Sequence, residues 1–153
     1  MIMNNIPIII AEDSPFLTTE TRQTRWAIPY SFECLNARID HLLTRNRNCI
    51  TGKRILDIGS HIGTFAYSAL ELGGEFVQGI DTEEKTVERG QELFRQTKVP
   101  ESRYDFKVAD AFDYLESLEE GSFDTVLCLG TLYYMVEPYR LLKLMQKVAK
   151  EAI

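Results

Sequence analysis

Three cysteines are few for a chain of 153 residues, and the number is odd. Cys34, Cys49 and Cys128 are far apart and show no zinc or redox spacing. A disulfide framework is excluded, and the three read as free thiols of a reducing compartment. The first residues, Met1-Ile2-Met3-Asn4-Asn5, lack the basic start and long apolar core of a signal peptide. No apolar run reaches transmembrane length. A soluble cytoplasmic protein is expected, with no membrane partner. Internal repeats and low-complexity segments are missing too. Positive charge is in deficit, and a net charge of −6 argues against a chain that coats nucleic acid. The deficit is uneven. Residues 1–54 carry seven Lys/Arg against five Asp/Glu, and residues 55–153 carry ten against eighteen. The basic N-terminal residues, Arg38 among them, read as a solvated surface. The chain also lacks G-x-G-x-x-G, the glycine spacing of a dinucleotide site.

What is present is a 44% hydrophobic composition, enough for one ordinary domain with a core. Residues 1–49 read as an N-terminal arm and helix, and residues 50–153 as an α/β core, one domain overall. In the arm, Ile6-Pro7-Ile8-Ile9-Ile10 is a short β-branched run. Pro7 bars it from a central strand, leaving an edge strand or a docked extended arm. Phe32, Leu35, Ile39, Leu42 and Leu43 recur at helical spacing within 30–44. From residue 54 onward, strands alternate with helices. Strands are expected near 54–58, 76–80, 104–108 and 124–130, and helices near 64–72, 83–96, 110–118 and 138–151. Such alternation implies a doubly wound, mainly parallel sheet with right-handed crossovers.

The most informative stretch is Ile55-Leu56-Asp57-Ile58-Gly59-Ser60-His61-Ile62-Gly63. An apolar strand ends in an acid, makes a glycine turn and enters a helix. Such turns bring backbone N–H groups close to a ligand. Asp57 would repel a pyrophosphate and suits a ligand with a cationic part. Asp81 ends the second strand, 24 residues beyond Asp57, at the distance where an acid grips ribose hydroxyls. Thr82 follows it. Asp110-Ala111 follows the third strand, with a polar side chain placed to reach an adenine amino group. The fourth strand runs through Leu129 into Gly130-Thr131-Leu132-Tyr133-Tyr134. All four features fall where ligands bind in open α/β sheets, at the carboxyl ends of the strands. Asp81 and Asp110 are also favoured helix-capping residues, and His61 reads first as a loop residue packed on its neighbours.

Together these motifs, in this order and spacing over residues 50–151, resemble the class I S-adenosylmethionine-dependent methyltransferases, a Rossmann-like fold. The resemblance implies a core strand order of 3-2-1-4. It implies that Asp57, Gly59, Ser60, His61 and Gly63 shape the methionine side of a cofactor pocket. Asp81 with Thr82 would bind ribose, Asp110 with the Ala111 N–H would bind adenine, and Leu129 would line the pocket. The cofactor would be S-adenosyl-L-methionine and its product S-adenosyl-L-homocysteine. No metal is implied, and no catalytic residue follows. Tyr134 stands where many relatives have histidine, and His61 where many have glycine. The implied function is methyl transfer to an N, O or C nucleophile of a small molecule or nucleoside. The alternative is a binding module without catalysis, or one completed by a partner.

Two further expectations concern packing. The family's last strands are missing from the sequence pattern, so Val126-Leu127-Cys128-Leu129 is expected at an open sheet edge. Either the Ile8–Ile10 run or a second copy, in a two-fold homodimer, would cover it. Residues 14–34, with Phe16, Trp26, Tyr30 and Phe32, are expected to form a lid over the cofactor mouth.

Overall fold

The computed structural model describes residues 6–17 and 31–153. Trp26 and Tyr30 lie outside the described residues. Helix α1 (Phe32–Leu42) leads through a 3-10 segment (Thr44–Cys49) into β1 (Arg54–Ile58), α2 (Thr64–Glu71), β2 (Phe76–Asp81) and α3 (Glu84–Arg95). Then follow β3 (Tyr104–Val108), α4 (Ala111–Ser117), β4 (Phe123–Leu127), α5 (Pro138–Val148) and β5 (Ala149–Ala152). The sheet order is β3-β2-β1-β4-β5, and every pair is parallel. The expected 3-2-1-4 core is present.

Side chains alternate across a strand, and this decides which layer each residue joins. Ile55, Val77, Phe106 and Leu127 face α1, α2 and α3, among Leu35, Ile39, Ala66 and Phe94. Leu56, Ile58, Ile80 and Val126 face the other way, against Leu115, Leu141 and Met145 of α4 and α5. A strand buried on both faces has little room for polar side chains, which explains the consecutive apolar pairs Ile55-Leu56 of β1 and Val126-Leu127 of β4.

The N-terminal run is a docked arm. Asn36 of α1 is buried, and its Oδ1 accepts the Ile9 and Ile10 N–H at 2.9 and 3.0 Å. Its Nδ2 donates to Ile10 O and Phe32 O, both at 2.9 Å. One buried amide thus pairs backbone groups that would otherwise be costly to bury.

The sequence-based expectation at the other end needs correction. The final helix stops at Val148, not near residue 151, and Ala149–Ala152 extends as β5 beside β4. Phe123 pairs with Ala149 and Thr125 with Ala152. Ala-Lys-Glu-Ala favours helix locally, but pairing with the sheet overrides propensity. The fourth strand therefore has an outer neighbour along its first half, the chain's own β5 rather than Ile8–Ile10. Val126 and Leu127 run past the last paired residue, with buried side chains.

Candidate functional site

β1 is the central strand, and its register places Asp57 between Gly79 of β2 and Leu127 of β4. Asp57 is therefore buried at the sheet's middle, with 3% of its surface exposed. Beyond Ile58 the chain turns sharply. Gly59, His61 and Gly63 have φ of 69°, 51° and 81°. The left-handed region is natural for glycine and uncommon for histidine.

The turn is tied to β2. The Gly59 and Ser60 N–H groups both donate to Ile80 O, at 2.9 and 3.0 Å. The His61 N–H donates to Asp81 Oδ2 at 2.9 Å, and the Gly63 N–H to Ser60 O at 2.9 Å. This corrects the expectation that the loop's backbone donors face a ligand: these four are used within the protein. The side chains are what the turn leaves open. Asp57 Oδ2, Ser60 Oγ and Thr64 Oγ1 are buried and have no hydrogen-bond partner. Unsatisfied buried oxygens are costly, and three around one loop mark a place built for a donor-bearing ligand.

The neighbouring strand ends complete a cavity of about 850 Å³. Asp57, Gly59, Ser60, His61, Asp81, Thr82, Asp110, Ala111 and Leu129 all line it. Gly63 does not. It caps α2, and a Cβ there would come within 2.8 Å of the Phe94 and Phe106 rings, so its role is to let the helix start against that cluster. Asp81 Oδ1 accepts the Glu83 N–H at 3.0 Å, and Glu83, not Asp81, caps α3. Asp110 does cap α4: its Oδ1 accepts the Phe112 and Asp113 N–H at 2.8 and 3.2 Å.

Some lining residues were not singled out from the sequence. Cys34 and Arg38 reach the cavity from α1, and Thr64 and Phe65 from α2. The Arg38 guanidinium lies over the Phe65 ring, 5.1 Å from its centroid. Arg38 belongs to the cavity, not to a solvated basic face. Cys34 and Arg38 are four apart and share a helix face, but periodicity alone does not say that this face meets the strand ends. Past β4, Thr131, Tyr133 and Tyr134 of the aromatic loop expected there do line the cavity, with Met135 added beside them. Phe16, expected in a lid, is fully buried. It stacks on Tyr67 at 4.8 Å and meets Phe94 edge-on at 5.5 Å, in the core beside α2 and α3. Phe32 packs against the same core.

The electrostatics follow from burial. Desolvation, helped by the nearby Asp81 charge, pushes the Asp57 carboxyl up to about 7. Burial also lowers His61 below its ordinary value, opposed by Asp81 and Glu83, and raises the Cys128 thiol, with Asp57 adding to it. No group of three His, Cys, Asp or Glu among the described residues could hold a metal ion. No helix among them is long and apolar enough to cross a membrane.

A family model described as a methyltransferase domain matches residues 51–152. A ubiquinone biosynthesis O-methyltransferase of Neisseria meningitidis is 30% identical over 102 residues, covering 66% of this chain and 41% of that protein. The chain thus spans about two fifths of that relative's length. The crystal structure of an S-adenosylmethionine-dependent methyltransferase from Archaeoglobus fulgidus matches with a TM-score of 0.62 at 25% identity, over 81% of this chain and 51% of that one. The [4+2]-cyclase SpnF matches with a TM-score of 0.67 at 23% identity, over 78% and 43%. That last likeness concerns the fold alone.

Proposed function

Because this chain belongs to the methyltransferase-domain family, we propose that its cavity binds S-adenosyl-L-methionine and that the protein transfers the methyl group to a nucleophilic N, O or C of a small molecule or nucleoside. The observation that carries this is the acid-lined strand end with its three unpartnered oxygens. Asp57 Oδ2, Ser60 Oγ and Thr64 Oγ1 offer acceptors to the ammonium of an amino acid. Asp81 would take ribose hydroxyls. Asp110, whose Oδ1 alone is used in capping, would turn Oδ2 to the adenine amino group beside the Ala111 N–H. Acids at all three points suit a cationic ligand and oppose a pyrophosphate.

The cofactor, when bound, supplies an activated methyl on a sulfonium. What remains for the protein is alignment and exclusion of water. Positioning of that kind is worth roughly 7–11 kcal/mol in favourable cases. A general base is needed only where the nucleophile must lose a proton.

One observation favours a second possibility. Tyr133 and Tyr134 are 67% and 61% exposed beside the cavity, so its acceptor side is open. A binding module completed by another polypeptide would look like this. Turnover against a panel of acceptors separates the two, because cofactor binding alone suits both.

Calorimetric titration tests the cofactor assignment. S-adenosylhomocysteine should bind at one site and NAD should not. Asp81→Ala should weaken binding by about 1–3 kcal/mol. Binding of NAD, or unchanged affinity in the variant, would overturn it.

A further inference from the structure

Asp57 sits oddly for a residue meant to meet a cation. It is buried, its Oδ2 accepts no hydrogen bond, and no ion pair reaches it among the described residues. The groups around it are mostly the wrong sign. Asp81 approaches from the end of β2 and raises the proton affinity of Asp57. Cys128, just past β4, is a thiol that itself feels the Asp57 charge. His61 in the loop is held toward its neutral form by burial. Asp110 lines the cavity ahead of α4, and Tyr133 and Tyr134 line it beyond β4. Among the described lining residues Arg38 brings a cationic side chain, and its guanidinium lies over Phe65. A carboxylate so placed is poorly solvated and faces another acid, so the empty site favours the protonated form.

We infer that amino-acid-bearing ligands displace a proton from Asp57, which makes affinity at this site rise with pH up to neutrality. This rests on the assignment of the cavity to S-adenosylmethionine and S-adenosylhomocysteine. An ammonium brought against Asp57 pairs with the carboxylate and has no use for the neutral acid. The balance is simple: the ligand arrives as its ammonium, the Asp57 O–H proton leaves to solvent, and an ion pair forms. By linkage, the group that loses its proton on binding costs affinity wherever the free protein holds that proton. With the empty-site carboxyl near 7, affinity should fall by about tenfold per pH unit below about 6.5. It should level off above pH 7 and decline again only at more alkaline pH, where the ligand's own ammonium deprotonates.

Calorimetry of the whole chain tests this directly. Titration with S-adenosylhomocysteine at pH 6 in two buffers of different ionisation enthalpy counts the protons released. About one is expected for the wild type. 5′-Methylthioadenosine keeps the nucleoside and lacks the amino acid, so it should release none. Asp57→Asn should bind S-adenosylhomocysteine more weakly at pH 7.5 and with little pH dependence from 5.5 to 7.5. The wild-type count needs no variant and stands even if Asp57→Asn fails to fold. S-adenosylhomocysteine that binds without proton release, or equal release by both ligands, overturns the inference and leaves the cofactor assignment intact. Failure of S-adenosylhomocysteine to bind at any pH overturns both.

Discussion

The loops after β1 and β4 lie side by side at the rim of one cavity, yet they are built in opposite ways. The β1 loop is closed. Its N–H groups bond to Ile80 O, Asp81 and Ser60 O, and Asp57, Ser60 and Thr64 are buried. The β4 loop is open. Tyr133 and Tyr134 touch each other at 4.4 Å between ring centroids and leave most of their surface in solvent, and Val136 is 95% exposed. A ligand held by the first loop meets groups already fixed in place, with little ordering left to lose. A ligand meeting the second must order the side chains it touches. In the methyl transfer proposed above, the donor half would thus be built into the sheet and the acceptor half left adaptable.

The two loops meet at one point, and breaking it should have the largest effect. A Cβ on Gly59 would collide with Thr131 Oγ1 and stand 3.0 Å from Thr131 Cβ, at a backbone φ of 69°. Gly59→Ala should cost about 2–4 kcal/mol of stability and abolish S-adenosylhomocysteine binding. Adding Thr131→Ala removes the Oγ1 clash and should recover part of the loss, leaving the tight 3.0 Å contact to the residue 131 Cβ and the strain of the left-handed backbone, about 1 kcal/mol. Thermal melts of the single and double variants check this. No recovery in the double variant would mean that the two loops do not press on each other.

Within the closed loop, Asp57 should carry the next largest effect. Its native carboxyl keeps a proton up to about 7, whereas an unfolded aspartate releases it near 4. The native state then binds more protons over that window, so ligand-free stability falls as pH rises through it. Asp57→Asn cannot ionise and should be the more stable protein at pH 8, by up to about 4 kcal/mol, while matching wild type near pH 4. Denaturant midpoints at the two pH values measure this. A variant less stable at pH 8 would show that the carboxylate is stabilised in the fold.

The closed loop was also the more legible of the two in the sequence. Asp57, Gly59, Asp81 and Asp110 were found from local order and spacing, because strand, turn and cap are short-range properties. The four-strand core and its helices followed the same way, within a few residues at most boundaries. What the sequence hid was long-range. Arg38 and Cys34 reach the cavity only because α1 packs across the strand ends. Phe16 is core because of Tyr67 and Phe94, far along the chain. Ala149–Ala152 carries a helical local preference that a neighbouring strand overrides. The use of the β1 loop's N–H groups by Ile80 and Asp81 was invisible for the same reason.

The open loop should answer differently to the same treatment. Tyr133→Ala and Tyr134→Ala remove exposed rings and should each change stability by no more than about 0.5 kcal/mol. Affinity for S-adenosylhomocysteine should stay within about twofold of wild type. Methyl transfer to any acceptor that turns over should drop through KM. A loss of S-adenosylhomocysteine affinity equal to that from Asp81→Ala would erase the division between donor and acceptor loops.

The smallest effect is expected at the edge beyond β4. A two-fold dimer through this end of the sheet now has to run through β5, and β5 resists it. A two-fold axis normal to the sheet keeps each face on its own side. Residues of like parity then stand opposite each other across an antiparallel pair. For Ala149–Ala152 the central registers bring Lys150 against Lys150 or Glu151 against Glu151. Like charges directly opposite are destabilising by up to about 1 kcal/mol per pair, and charged residues are how natural edges avoid pairing. Both side chains already have partners in the same chain: Lys150 lies 3.5 Å from Asp124, and Lys53 lies 2.6 Å from Glu151. The wild-type chain should therefore scatter light as a monomer at micromolar concentration. Replacing Lys150 and Glu151 together by valine removes the repulsion and raises strand propensity, so the double variant should shift toward dimer. A dimeric wild type whose mass is unchanged in that variant would place the contact elsewhere on the molecule and leave β5 a solvent-facing edge.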